Sequence, residues 1–259
     1  MNNTSPRIEI VTIACRTDNY AFLVRADETT ALVDAPEADP ILAALDERGW
    51  TLDEVWITHH HADHVDGLPG LRDRFPDLTV TGGARDAHRL PSLDREVADG
   101  DSFQFRGHAV HVIDVSGHTV GHVAFHLPDA SAAFTADSLM ALGCGRLFEG
   151  TPEMMWRSLS TLAALPADTV IYSGHEYTAT NARFALTIEP ENAALRRRAD
   201  EIETARRAGR ATVPSSLKEE LATNPFLRAG LQEVKEAISM SKADDVAVFA
   251  EIRARKDSF

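Results

Sequence analysis

The stretch Thr58-His59-His60-His61-Ala62-Asp63-His64 sets four candidate metal donors, His59, His61, Asp63 and His64, directly behind the apolar run Val55–Ile57. A chain that uses all of them must bring distant segments beside this one turn, because a pair of ions needs more ligands than four side chains supply. Three further donors follow downstream: His118 just past the β-rich run 109–115, Asp137 at the end of Phe134-Thr135-Ala136, and His175 after Ile171-Tyr172-Ser173-Gly174. Extended backbone points residues two apart to the same side, so His59 and His61 can share one ion while His60 faces away. Asp63 and His64 come where the chain should turn into a helix, and can project toward a second ion. Histidines that merely decorate a loop would not explain three more donors at strand ends, where the loops of a sheet edge collect functional groups. The set reads as that of a metallohydrolase. His88, His108, His111 and His126 lack such placement and read as surface or core residues, and His122 as support for a ligand.

The 259 residues allow one large domain, or one of about 170 residues with a smaller partner. Apolar residues at 44% and charged residues at 25% suffice for a well-formed core. A formal charge of −14 argues against nucleic acid or an anionic membrane as a partner. The opening MNNTSPRIEIV lacks the pattern of a secretion signal and no apolar run reaches membrane-spanning length, so a cytoplasmic protein is expected. With only Cys15 and Cys144, no disulfide framework arises; Cys15 reads as a buried small hydrophobe and Cys144, between two glycines, as a turn residue.

Strands are expected over 8–14, 20–25, 31–34, 55–58, 79–81, 109–115, 123–127, 132–136 and 169–173, and helices over 40–48, 68–75 and 152–165. Past Gly174 the texture turns helical, over 178–186, 191–207, 216–221, 227–238 and 244–255, with no convincing strand and a surface connection between Gly209 and Pro214. Sheet layers with covering helices, an α+β architecture over residues 1–173, are thus followed by a small all-α domain over 174–259.

Several motifs carry a resemblance across nearly the whole chain: THHHADH at 58–64, SGHTVGH at 116–122, ADSLMALGCGRLFEGT at 136–151, SGHEYT at 173–178, TVPSSLKEELATNPFLR at 212–228 and the terminal FAEIRARKDSF. The first is similar to the metallo-β-lactamase superfamily in general. GCGRLFEGT, HEYT, TVPSSL with NPFLR, and the terminal R-x-x-K-D-x-F resemble its glyoxalase II branch, the hydroxyacylglutathione hydrolases. The resemblance implies an αββα sandwich followed by a helical substrate domain. It also implies one ion on His59, His61 and His118, a second on Asp63, His64 and His175, and Asp137 bridging them. Arg146, Tyr177, Arg253 and Lys256 match the family's glutathione contacts. Arg253 and Lys256, three apart on an expected helix, would share a face; a solvated basic helix end is the plainer reading of the same pair. Phe148 stands where some members have Tyr, and Ser116, Ala136 and Met140 also depart from the family pattern.

The activity so implied is hydrolysis of a glutathione thioester, foremost S-D-lactoylglutathione to D-lactate and glutathione, the closing step of methylglyoxal detoxification. A thiol of pKa about 8.5 to 9 leaves as thiolate without a strong acid. The chemistry then reduces to a hydroxide held between two divalent ions, with Asp63 and Asp137 as the catalytic carboxylates. Zinc is expected ahead of iron or manganese. The expected partner is the small-molecule thioester, bound by a monomer. A mononuclear-iron persulfide dioxygenase on the same fold is the alternative, disfavoured by the complete second donor set and by Arg253 and Lys256.

Overall fold

The computed structural model describes residues 7–259, and the stretch read for a secretion signal lies outside the described residues up to its sixth position. The chain forms two compact units, one reaching to Asp114 and including Val120–Phe134, the other comprising Val115–Thr119 and Thr135–Phe259.

The first unit opens with an antiparallel ladder of β1 (Ile8–Cys15), β2 (Asn19–Ala26) and β3 (Thr29–Val33). Next come α1 (Ala38–Arg48), β4 (Glu54–Ile57), α2 (Ala62–Val65), α3 (Leu68–Arg74), β5 (Thr79–Gly83) and β6 (Arg95–Val97). The strands form one sheet in sequence order, and those from β3 to β6 run parallel. Parallel neighbours need crossover connections, which α1 and α3 supply; α1 stops at Gly49, whose left-handed φ of 65° suits a residue without Cβ. Strand periodicity divides β4 between two cores. Val55 and Ile57 join Ile41 and Leu45 of α1 and Leu71 of α3 in an apolar cluster. Trp56 points the other way, edge-on to Phe103 and Phe105 at 5.4 and 5.3 Å and tilted against Phe125 at 5.7 Å. Those rings come from β7 (Ser102–Phe105) and β9 (Val123–Leu127), which with β8 (His108–Asp114) and β10 (Ala132–Ala136) make antiparallel neighbours. A layer of helices, a sheet and a facing set of strands are thus present in this unit.

In the second unit the chain leaves β10 through a two-residue hairpin, β11 (Leu139–Met140) and β12 (Gly143–Cys144), then α4 (Pro152–Ala163) and β13 (Val170–Ser173). Five helical or extended pieces follow: α5 (Thr178–Ile188), α6 (Ala193–Arg207), β14 (Ser215–Ser216), α7 (Leu217–Thr223) and α8 (Gln232–Ala237), before α9 (Asp245–Asp257) closes the chain. Leu142 inserts between α5 and α6 with Ala182, Ala185, Leu195 and Ile202. Beneath it lies a buried polar knot. Glu220, fully buried, accepts from the Leu142 N–H at 2.8 Å and from Asn224 Nδ2 at 3.0 Å, and pairs with Arg198, which also donates to Thr223. Asn224 Nδ2 also lies 3.1 Å from Met140 O and 3.0 Å from Gly143 O. The helical part is therefore locked to both carbonyls of the hairpin.

Three expectations need correction. The region past Gly174 is not free of strands: Ser215–Ser216 pairs antiparallel with β13, set up by a turn whose Ser216 and Glu219 form a capping box. The helix expected over 227–238 covers only Gln232–Ala237, since Asn224 Oδ1 takes the Phe226 N–H and starts a turn ahead of it. Cys144 is a buried strand residue and not a turn residue, and burial pushes its thiol up to about 11 despite the neighbouring Arg253. The strands β6, β7, β11 and β12 went unread because two to four residues carry too little periodicity. Among the described residues no helix is long and apolar enough to cross a membrane.

Replacing Arg198 by Met strands the Glu220 carboxylate in the interior. The expected loss is about 3–5 kcal/mol of unfolding free energy, read from urea denaturation as a lower midpoint.

Candidate metal centre

The first unit contributes four of the sequence-derived donors. β4 ends at Ile57, and Thr58, His59 and His64 are fully buried. Parallel pairing of β3 with β4 sets Val33 opposite Trp56, so Asp34 emerges beside Thr58. Asp34 takes a left-handed φ of 58°, which a short polar side chain tolerates. Its Oδ1 accepts the Thr58 N–H at 2.8 Å, and its Oδ2 accepts the Thr58 hydroxyl and His64 Nδ1, both at 2.8 Å. A hydroxyl has one proton; with it given to Asp34, Thr58 Oγ1 accepts from His59 Nδ1 at 3.0 Å. Both imidazoles are thereby held in the tautomer whose Nε2 carries the lone pair, the form a metal requires.

His59 Nε2 stands 3.2 Å from His61 Nδ1, and His64 Nε2 stands 3.8 Å from Asp63 Oδ2. The Asp63 carboxylate is fixed by Asn19, whose Nδ2 donates to Oδ2 at 3.0 Å and to the Asp63 carbonyl at 3.1 Å. His60 turns away to Asp86 at 3.0 Å, as the spacing implied. His122, buried, stacks on His59 at 4.5 Å and 11°.

The second unit supplies the other three donors. His118 Nδ1 donates to Arg146 O at 2.7 Å, which again leaves the lone pair on Nε2. That nitrogen lies 3.4 Å from Asp137 Oδ2, and His175 Nε2 lies 3.2 Å from the same oxygen. All three residues are buried. Gly145 allows the loop to pass here: a Cβ on it would sit 1.9 Å from Asp137 O and 2.9 Å from His118 Nδ1. Ala136 has a φ of 41°, where glycine is the unstrained residue, so its departure from the family pattern falls on a strained position.

Donors about 2.0–2.2 Å from a tetrahedral or octahedral ion lie about 2.9–3.5 Å from one another. The close donor pairs at 3.2, 3.2 and 3.4 Å match such an edge, and imidazole with carboxylate is a set that divalent ions accept. The fit to a divalent metal is therefore good within each unit.

The four residues expected to hold substrate also lie in the second unit. Tyr177 is 41% exposed and stacks flat on His175 at 4.7 Å. Arg146 is exposed, with Nε 3.4 Å from Asp257 Oδ1. The same oxygen accepts from Arg253 Nη2 at 2.8 Å, while Arg253 Nη1 donates to Cys144 O at 3.0 Å and the side chain is 6% exposed. Lys256 lies 5.3 and 5.2 Å from the Phe184 and Phe259 rings. Burial first, then Arg253 and Arg183, pull its ammonium down to about 8. Phe148 is exposed with its ring 5.2 Å from His118. Sequence reading missed Asp34, Asn19 and Asp257. The only signal was an acid closing an apolar run in Leu32-Val33-Asp34, an amide opening another, and an acid between two basic residues and the terminus.

Substituting Gly145 by Ala drives a methyl group into the Asp137 backbone and His118. Metal affinity is expected to fall about 10–100-fold, the range for disturbed ligand support, measured by chelator competition, and the displaced backbone should also lower the unfolding midpoint of the metal-free protein.

Comparison with known proteins identifies the family. A model of the metallo-β-lactamase superfamily matches residues 16–175, and one described as the hydroxyacylglutathione hydrolase C-terminus matches 176–259. A hydroxyacylglutathione hydrolase of Ruegeria pomeroyi is 63% identical over 97% of this chain and 99% of its own length, and one of Roseobacter denitrificans matches equally well. Among solved structures, the BLEG-1 B3 metallo-β-lactamase superposes with a TM-score of 0.66 at 18% identity, over 85% of this chain and 99% of that one, a likeness of fold. The mixed sheets, the helical C-terminal part and the paired models lead to one conclusion: this chain belongs to the hydroxyacylglutathione hydrolase family, within the metallo-β-lactamase superfamily.

Proposed function

We propose that the chain hydrolyses glutathione thioesters, S-D-lactoylglutathione foremost, to D-lactate and glutathione. His59, His61 and His118 would hold one divalent ion, Asp63, His64 and His175 a second, and Asp137 would be shared. The observation that carries this reading is the prepared tautomers: His59 and His64 give their Nδ1 protons toward Thr58 and Asp34, and His118 gives its own to Arg146 O. Imidazoles arranged only for packing need no such uniform orientation. Family membership over nearly the full length supports the same activity.

Two divalent ions, when bound, lower the pKa of a water from 15.7 toward about 7 and polarise an acyl oxygen. The protein's share is positioning. Asp63, clamped through Oδ2 by Asn19, orients the attacking water and can hold its proton. Asp137 sits between His118 and His175 and fixes their relative placement. The leaving thiol has a pKa of about 8.5, low enough to depart as thiolate and take up a proton from water afterwards, so no further acid is called for. Tyr177 and Arg146, exposed, offer a hydroxyl and a guanidinium to the peptide, and Lys256 an ammonium to a carboxylate. Arg253, buried beneath, adds charge and is held by Cys144 O and Asp257. The reading includes zinc as the metal, a division near residue 173 between a donor-bearing domain and a helical substrate domain, and a cytoplasmic monomer.

The purified chain is expected to cleave S-D-lactoylglutathione with about two metal equivalents bound, and chelation should abolish turnover. Asp137→Ala should lower kcat/KM at least about a hundredfold with reduced metal content, in the range of lost charge stabilisation. One iron per chain with oxygen consumption on a persulfide would replace this reading by the dioxygenase.

Lys256 yields a pH signature. Its cation is complete below about 8 and is lost above, so anion binding weakens as pH rises through that value. kcat/KM, which reports the free enzyme, should fall between pH 7 and 9, and Lys256→Arg should remove that fall.

A further inference from the structure

One carboxylate reaches two donors that the proposed function assigns to different ions. Asp34 is 3% exposed and both of its oxygens are engaged. It holds His64 directly, Nδ1 to Oδ2 at 2.8 Å, and His59 through the Thr58 hydroxyl, with steps of 2.8 and 3.0 Å. The two rings lie 4.1 Å apart between centroids. From this we propose that Asp34 is a positioning residue that couples the loading of the two metal sites, with Thr58 as the connecting arm. The proposal rests on the metal reading above.

The physical argument concerns ordering. An imidazole that binds an ion through Nε2 must keep its proton on Nδ1, and its ring must stop rotating. When His64 does so, the hydrogen bond to Asp34 Oδ2 becomes charge-assisted at both ends and fixes the carboxylate. A fixed carboxylate holds the Thr58 proton on Oδ2, and that in turn obliges Thr58 to accept from His59. His59 is then ordered in its ligating tautomer before its own ion arrives. The same steps run in reverse, as linkage requires, so whichever ion binds first favours the second. The Thr58 N–H to Asp34 Oδ1 bond anchors the carboxylate to the backbone in either case and makes it a shared pivot.

Thr58 allows the coupling to be broken with little damage to the fold. Valine is close in size and keeps the backbone N–H bond to Asp34, but lacks the hydroxyl; serine retains it. Metal-free wild type, Thr58→Val and Thr58→Ser are titrated with Zn2+ by calorimetry and chelator competition, with Co2+ absorption spectra and urea denaturation of each metal-free protein alongside. The wild type should load cooperatively, with the singly loaded species scarcely populated. Thr58→Val should bind in two separated steps, the His59 site weakened about 10–100-fold and the Co2+ spectrum of that site altered, while Thr58→Ser restores cooperative loading. Comparable urea midpoints show that the variants fold. Asp34→Asn is the second probe: its amide Nδ2 cannot accept from His64, so the ring should flip tautomer and lose the other site. Independent sites in the wild type, or wild-type loading in Thr58→Val, overturn the proposal alone. Failure of the wild type to take up two ions overturns the metallohydrolase reading and this coupling together.

Discussion

A histidine withdrawn from water serves as a ligand only if its second nitrogen has somewhere to place a proton. That requirement organises the structure around Thr58, where β3 and β4 run side by side and deliver Asp34 to the spot that His64 and Thr58 need. The parallel register fixes the carboxylate, the carboxylate fixes the rings, and the rings present the proposed donor atoms. In the second unit a backbone carbonyl, that of Arg146, performs the same task for His118. Sheet register and loop path thus act on the chemistry through proton placement more than through proximity alone.

Charge is managed locally against the global trend. A chain with a formal charge of −14 repels an anionic ligand at long range. Arg146, Arg253 and Lys256 are nevertheless gathered around Asp257, which accepts from Arg253 at 2.8 Å and keeps three cations from meeting without a counter-charge. Burial, and then repulsion from Arg253 and Arg183, leave Lys256 less tightly protonated than a surface lysine, so its charge is conditional where that of arginine is permanent.

The fold and donor set were legible to different depths. The runs 123–127 and 132–136 match observed strands, and β4, α1 and α4 fall within two residues of expectation, because buried strands and capped helices leave plain marks in composition. The candidate donors stood out because each lies at or just past the end of an apolar run. Asp34 was not: its role depends on which strand lies beside β3, and pairing partners are set by tertiary structure. Arg253 was read as a substrate contact sharing a helical face with Lys256, and the depth at which α9 buries it, over the Phe226 ring at 5.1 Å, was not legible. Spacing gives the face of a helix and says nothing of how far a neighbour covers it. The short strand β14 escaped for a related reason, since two residues become a strand only when a partner such as β13 is already in place.

The buried knot of Arg198, Glu220 and Asn224 bears on how such a protein can change over time. It grips Met140 O and Gly143 O, and the hairpin they belong to leads straight into Gly145 and Arg146, whose carbonyl orients His118. The helices therefore brace the hairpin and cannot be exchanged without disturbing it. A chimera given a foreign helical tail would inherit every proposed donor in its sequence and still lose the support of the loop that orients His118. New specificity in this lineage should arise by remodelling side chains on the existing helices sooner than by wholesale exchange.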